Sequence, residues 1–435
     1  MYELLRQREA DGQPIRVALV GAGAMGVGIA WQIGRTPGMV LAAITDIDKA
    51  AADAAAEAYG APWRWGGPDD VMPDAGVTLV TETPFYLHPA RPELGLDVLV
   101  EATNTIGFAG QVCEAAIEAG LHVVLMNAEV DLALGPTLAR KAAEQGVVVT
   151  SDAGDQHGVL ARMIDEIRLW GFEIRMAGNI KGFLDRYATA GGLIEEARIR
   201  QLNPIQCCAY TDGTKLGIEM AVIANGEGLV PFVPGMEGPR AADVKDVFDH
   251  FDFDRYGDQG VVDYILGAQP GGGVFVVGRC EDPLQARYLW YYKMGDGPDY
   301  LFYRPYHLCH LETTRAIADA ALRGEAVLAP RHGRMCDVYA YAKRDVSAGE
   351  VVPHGIGGDH FYGLIERCAD ADARGAVPIA LLEAEGDDMA RLLRGLRRDA
   401  PLTFDDVTLP QSYLVRRFHE QQAALAATPP AASRP

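Results

Sequence analysis

The chain of 435 residues is short of positive charge: 39 lysines and arginines stand against 60 aspartates and glutamates, a formal net charge of −21. A surface of that sign repels phosphate backbones and anionic lipid, so neither nucleic acid nor a membrane is expected as a partner. Long apolar runs are missing too. Although 49% of the residues are hydrophobic, no uninterrupted run is long enough to span a bilayer. The opening Met1-Tyr-Glu-Leu-Leu-Arg lacks the apolar core of a secretory signal. Cysteine is sparse. The seven, at 113, 207, 208, 280, 309, 336 and 368, contain no CxxC pair and no zinc-finger spacing, so free thiols in a reducing cytoplasm are expected. Nothing repeats at a solenoid period. What remains is a globular chain long enough for two or three domains.

What is present is glycine in one telling arrangement. The apolar run Val17–Val20 is followed by Gly21, Gly23 and Gly26 at the spacing GxGxxG, and then by a helical pattern. Gly21 permits a tight turn, Gly23 lets backbone approach a pyrophosphate, and Gly26 lets the helix pack close to the strand. Ala24 and Met25 open that helix, whose free N–H groups and positive dipole end suit phosphate. A second apolar run, Val40–Ile44, ends at Asp46, twenty residues past Gly26. An acid there accepts hydrogen bonds from the adenosine ribose hydroxyls. Residues 16–46 therefore predict a dinucleotide-binding βαβ unit taking NAD or NADP.

Further apolar runs, at 77–80, 97–101, 122–126 and 146–151, alternate with helical patterns as a doubly wound parallel sheet requires. Ligands in such sheets bind beyond the carboxyl ends of the strands. Thr103 and Asn127 follow two of those ends and are read as cofactor-binding on the nicotinamide side. The run ending at Ser151 continues Asp-Ala-Gly-Asp-Gln-His-Gly. Carboxylates are costly there unless they face a cleft, which makes Asp152, Asp155 and His157 substrate-binding candidates. A helix starting at Thr211 is expected within 207–225, a loop-bearing region over 235–273, and an aromatic stretch over 288–306. From that stretch Arg304, between Tyr303 and Tyr306, is taken as part of a substrate-shaping wall. His307, Cys309, His310 and Glu312 fit no standard zinc spacing and are assigned to packing. Beyond 330, short apolar runs between glycine and proline turns predict a small, mostly β module. The last ten residues are expected to be disordered.

The stretches Ser151-Asp-Ala-Gly-Asp-Gln-His-Gly, Asp212-Gly-Thr-Lys-Leu, Tyr291-Tyr-Lys-Met-Gly-Asp-Gly-Pro and Tyr303-Arg-Pro-Tyr-His-Leu-Cys-His-Leu-Glu carry a resemblance over nearly the whole chain. It resembles the homoserine dehydrogenase-like oxidoreductases with a C-terminal SAF domain, and within them the reductoisomerase-like members acting on 1-deoxy-D-xylulose 5-phosphate. The resemblance implies an α/β architecture of three parts: a Rossmann domain (1–150), an α+β catalytic and oligomerisation domain (151–330) whose last helix returns to the first, and a SAF-like domain (331–425). It implies a homodimer or homotetramer. It places Lys215 beside the carbon that exchanges hydride, with Asp212 to orient it, and Lys181 near the substrate. A second family lysine is replaced by Asn127-Ala128-Glu129, which argues against homoserine. Glu219, on the Lys215 face of its helix, joins Asp152, Asp155 and His157 as a set that would bind substrate hydroxyls or the Mg²⁺ or Mn²⁺ that a ketose rearrangement would use, or else cap and brace the loop. The expected function is hydride transfer on a small phosphorylated or polyhydroxylated carbonyl compound. Asp46 repels a ribose 2′-phosphate, which keeps a plain NAD-dependent dehydrogenase of a sugar acid or hydroxy acid in view. The alternative without chemistry is a nucleotide- or sugar-sensing regulator.

Overall fold

The structure, a computed structural model, describes residues 1–427 other than 75, 89–91 and 201. A leading helix, α1 (Tyr2–Ala10), precedes seven strands: β1 (Ile15–Val20), β2 (Met39–Thr45), β3 (Trp63–Trp65), β4 (Thr78–Thr81), β5 (Val98–Glu101), β6 (His122–Leu125) and β7 (Val149–Ser151). They form one sheet in the order β3-β4-β2-β1-β5-β6-β7, with every pairing parallel. Four helices connect them: α2 (Ala24–Ile33), α3 (Lys49–Tyr59), α4 (Gly107–Glu118) and α5 (Ala128–Gln145). This is a Rossmann fold. Burial on both faces explains why its strands read as unbroken apolar runs; Val17, Ala18 and Leu19 are fully buried. Six strands are expected from the sequence. The seventh, β3, is a three-residue edge strand, too short for a periodic signal.

The second unit holds α6 (Gln156–Leu169), β8 (Glu173–Lys181), α7 (Ile194–Arg200), α8 (Pro204–Thr211), α9 (Thr214–Glu227), β9 (Val230–Pro231), α10 (Val247–His250), β10 (Val261–Leu266), β11 (Val274–Arg279), α11 (Pro283–Tyr291), β12 (Asp299–Arg304) and α12 (Cys309–Arg323). Its mixed sheet runs β12-β11-β8-β10-β9. Two expectations change here. The helix expected to start at Thr211 starts instead at Thr214, because α8 ends at Thr211 and the chain turns at Gly213 with φ +88°, a left-handed conformation that favours glycine. The loop-bearing region contains β10, a fully buried Val261-Val-Asp-Tyr-Ile-Leu strand.

The third unit is small and mostly β. It has β13 (Cys336–Ala342), β14 (Val351–Val352), β15 (Phe361–Arg367), α13 (Cys368–Ala373), β16 (Ala390–Leu392), β17 (Val407–Thr408) and α14 (Tyr413–Ala427). β13 pairs antiparallel with β15, and β14-β16-β17 make a second sheet. The expected disordered tail begins inside α14, which reaches Ala427; the remainder of it lies outside the described residues. No helix among the described residues is long and apolar enough to cross a membrane.

Two helices from beyond the first unit pack back onto it. α12 lies on α2, where a Cβ at Gly28 would meet the His310 ring at 2.7 Å. α14 lies on α5, with Gln421 accepting from the Thr137 hydroxyl (2.8 Å) and donating to the Ala133 carbonyl (3.1 Å). At the centre is α9, every residue of which is buried. A helix enclosed on all sides carries no apolar stripe to mark it. The third unit clamps it through Asn225, which accepts from the Met335 and Cys336 amides and donates to the Cys336 carbonyl. At its other end, Thr214 Oγ1 accepts the Gly363 amide (2.8 Å).

Asp212 belongs to this clamp. Its carboxylate is fully buried, accepts the Thr214 amide and pairs with Lys343 Nζ at 2.8 Å. Lys343 also donates to the Ala188 and Gly358 carbonyls, each at 2.8 Å. Removing one partner of such a pair strands the other in a dry site. Lys343→Ala should therefore cost about 3–5 kcal/mol, while Lys343→Met combined with Asp212→Asn should cost distinctly less. Chemical unfolding of the two variants against the parent checks this.

Candidate active site

The turn after β1 is built by its glycines. Gly21 has φ +96°, and a Cβ on it would lie 2.5 Å from the Ala102 carbonyl carbon. A Cβ on Gly26 would lie 2.1 Å from the Gly21 oxygen. Gly23 differs: nothing lies within 4 Å of where its Cβ would be, and it caps α2 without a side-chain hydrogen bond. Open space over uncapped N–H groups at Ala24, Met25 and Gly26 fits a pyrophosphate. Asp46 ends β2 and holds this loop, accepting the Ala22 amide at 2.6 Å and the Asp48 amide at 2.8 Å. The nearby cations are engaged elsewhere. Arg35 lies 4.1 Å from the Trp31 ring centroid and donates to the Trp31 and Ala58 carbonyls. Lys49 lies over Trp65 and beside Asp53.

On the other side of the cleft, Thr103 and Asn127 make one ledge. The Thr103 amide donates to Glu101 (2.8 Å), its hydroxyl meets that of Thr105 (3.0 Å), and Asn127 Nδ2 donates to the Thr105 carbonyl (2.7 Å). Asn127 Oδ1 caps α5 through the Val130 amide. Glu101, beneath the ledge, is fully buried, and burial pushes its carboxyl up to about 8.

Two residues into α5, Glu129 accepts hydrogen bonds from Lys215 Nζ on both carboxylate oxygens, at 2.7 and 2.8 Å. Around that ammonium stand Tyr210, Glu219 and Asp155. Burial alone would lower the Lys215 pKa, but Glu129 first, then these neighbours, hold it well above the usual lysine value. Glu219, one turn along α9, is 2% exposed; burial and then Asp155 raise its carboxyl. Lys181, at the end of β8, faces Glu219, and burial lowers its ammonium. Asp155 caps α6, accepting the Gln156 amide at 2.8 Å. Burial would raise it, yet His157, Lys215 and His307 keep it below the usual carboxylate range. His157 is 1% exposed, is held low by burial, and has no hydrogen-bond partner on either ring nitrogen among the described residues.

The structure thus brings Lys181, Lys215, Asp155, His157 and Glu219 together and leaves three expected residues outside. Asp212 does not orient Lys215; that position is taken by Glu129, and Asp212 holds Lys343. Asp152 bridges its own turn, accepting the Gly154 and Asp155 amides at 2.7 and 2.9 Å, and burial raises its carboxyl to about 7. Arg304 is occupied by Glu312 at 2.5 Å and stacks on Tyr306. Nor do Asp152, Asp155, His157 and Glu219 converge as a set for Mg²⁺. Among the described residues the one group whose ligand atoms lie close enough for an ion is Asp155, His307 and Cys309. Glu129 and Tyr210 were not legible as site residues. The only signal for Glu129 is its place in the Asn127-Ala128-Glu129 stretch that stands where the family lysine would be.

The site is thus a glycine-built turn at the carboxyl edge of a Rossmann sheet, with the Lys215 cluster across from it. Residues 154–313 match the family model described as the catalytic domain of oxidoreductase DRL. That stretch contains every member of the cluster except Glu129. Curated proteins give no match. Among solved structures the chain is similar to a probable dehydrogenase from Thermotoga maritima (11% identity, 74% of this chain and 93% of that one, TM-score 0.43). It is also similar to a dipicolinate-bound dihydrodipicolinate reductase from Paenisporosarcina sp. TG-14 (13%, 72% and 97%, 0.36). A third is KijD10, a 3-ketoreductase from Actinomadura kijaniata with NADP and TDP-benzene (15%, 72% and 91%, 0.34).

The raised carboxyl of Glu101 has a consequence for stability. Its folded pKa of about 8 lies above the unfolded value, so its contribution is full at low pH and is lost as pH rises to 8. Glu101→Gln should therefore shrink the fall in melting temperature between about pH 5 and pH 9, as thermal scans across that range would show.

Proposed function

We propose that this chain is an NAD-dependent oxidoreductase that exchanges hydride with a small polyhydroxylated or phosphorylated carbonyl compound. The observation that carries the reading is the Lys215–Glu129 pair. The first turn of α5 bears both Asn127, on the cofactor ledge, and Glu129, which fixes the ammonium. A dinucleotide seated over Gly23 would bring its nicotinamide to the ledge and supply the hydride. The match of residues 154–313 to an oxidoreductase catalytic domain supports the same assignment.

Hydride addition to a carbonyl builds negative charge on oxygen, which a preorganised cation stabilises. An ammonium has three donors. Two go to Glu129, leaving one for the substrate oxygen. Because its neighbours keep Lys215 charged, its contribution is electrostatic, and the proton comes from another group. Glu219 serves that role: burial keeps it a neutral acid near neutral pH, in the manner of carboxyls held protonated for donation. Lys181, facing Glu219, supplies a second hydrogen-bonding amine for a substrate phosphate or hydroxyl.

Asp46 favours NAD over NADP, since its carboxylate ends β2 and both nearby cations are engaged. The rearrangement of 1-deoxy-D-xylulose 5-phosphate has no support beyond the sequence resemblance, and plain oxidoreduction of a sugar acid or hydroxy acid fits the same residues. The proposal includes self-association as a homodimer or homotetramer, for which the exposed Tyr288, Trp290, Tyr291 and Tyr292 offer an apolar face.

Cofactor absorbance with a panel of sugar phosphates, polyols and hydroxy acids, 1-deoxy-D-xylulose 5-phosphate among them, tests the reading. Turnover with one class is expected, with NADH binding at least about tenfold tighter than NADPH. Lys215→Met should lower kcat by ~10²–10³-fold and leave NADH binding intact. Unchanged turnover in that variant would overturn the role of Lys215. Absence of NADH binding would overturn the class.

A further inference from the structure

Asp155, His307 and Cys309 come from distant parts of the chain and meet for a definite reason. The segment leading into α12 lies directly on the turn before α6: a Cβ on Gly154 would sit 2.3 Å from the Cys309 carbonyl oxygen. Only glycine allows that approach, and it sets the first residue of α12 against the cap of α6. The Cys309 sulfur is 3.5 Å from His307 Nδ1 and 4.0 Å from Asp155 Oδ1, and His307 Nδ1 is 3.9 Å from Asp155 Oδ1. One thiol, one imidazole nitrogen and one carboxylate oxygen thus form a near-equilateral triangle.

A tetrahedral zinc ion with ordinary bond lengths holds neighbouring ligand atoms ~3.3–3.6 Å apart. The triangle needs to close by only a few tenths of an ångström to meet that. A second observation points to something missing here. His157 sets Nδ1 3.9 Å from the other oxygen of Asp155, and among the described residues neither ring nitrogen has a hydrogen-bond partner although the residue is 1% exposed. A buried imidazole without hydrogen bonds is costly.

From this geometry we infer that Asp155, His307 and Cys309 form a three-ligand site for a zinc-class divalent ion, with a fourth position open beside His157. The mixed sulfur, nitrogen and oxygen donors select Zn²⁺ or Co²⁺ over Mg²⁺ or Mn²⁺, which prefer oxygen alone. Three protein ligands with an open position are the arrangement of catalytic rather than structural zinc. A water or substrate oxygen there gives His157 the partner it lacks. The site rests on these side chains and not on the hydride-transfer reading, because its binding is measured without substrate or nucleotide.

The test is titration of the metal-stripped full chain with Co²⁺, followed by displacement with Zn²⁺. One equivalent per chain should bind with a thiolate-to-cobalt charge-transfer band, and Zn²⁺ should bleach it. Cys309→Ser should abolish the band, and Cys280→Ser should retain it. His307→Ala should weaken binding by more than the ~10–100-fold that loss of an outer partner costs. Absence of the band in the parent, or its survival in Cys309→Ser, would overturn the site. So would Co²⁺ binding indifferent to His307. Because the parent titration alone decides the first outcome, misfolding of a variant does not protect the inference. If the site binds metal while Lys215→Met leaves turnover unchanged, the function falls and the site stands.

Discussion

The contact on which the rest of the molecule turns is the bond between Lys215 and Glu129. It joins the central helix α9 to the first turn of α5, and so joins the second unit to the first. The two form a short charge-assisted pair at a part-buried position. The Asn127 ledge and the Lys215 ammonium are thereby held in one rigid relation.

Such a pair needs a helix that does not move, and α9 is held from all sides. The first unit meets it through α5, the second through α6, and the third through β13 and β15. Asp212 and Lys343 lock its entrance, and Asn225 locks its far end to the edge of the third unit. The small β module therefore acts on the site without reaching it: it backs the helix that carries Lys215. Interface charges of this kind cost desolvation and return specificity of arrangement.

The nucleotide half was legible in the sequence because each of its constraints is local. Gly21, Gly23 and Gly26 answer steric demands within a dozen residues, and parallel strands buried on both faces announce themselves as apolar runs. The second half was less so. Lys215 came into view through a resemblance, since a fully enclosed helix has no periodic face. Glu129 stands 86 residues before its partner, and nothing local separates it from an ordinary helix-opening acid. Asp212 misled for the same reason: three residues from Lys215 in sequence, it serves a lysine 131 residues away. His307 and Cys309 fit no linear metal motif, because their third companion, Asp155, lies on another element.

The return of α12 and α14 to the first sheet bears on how the chain is made. The first unit's last strand ends at Ser151, yet two of its covering helices begin only at Cys309 and Tyr413. Thr150, at the end of its final strand region, accepts hydrogen bonds from the amides of Val327 and Leu328. Until those parts leave the ribosome, the sheet has an uncovered flank, and folding of the amino-terminal unit cannot be completed during its own translation. Synthesis and assembly are thus tied end to end, and a truncated chain of the first 150 residues would carry the cofactor turn without the helices that shelter it.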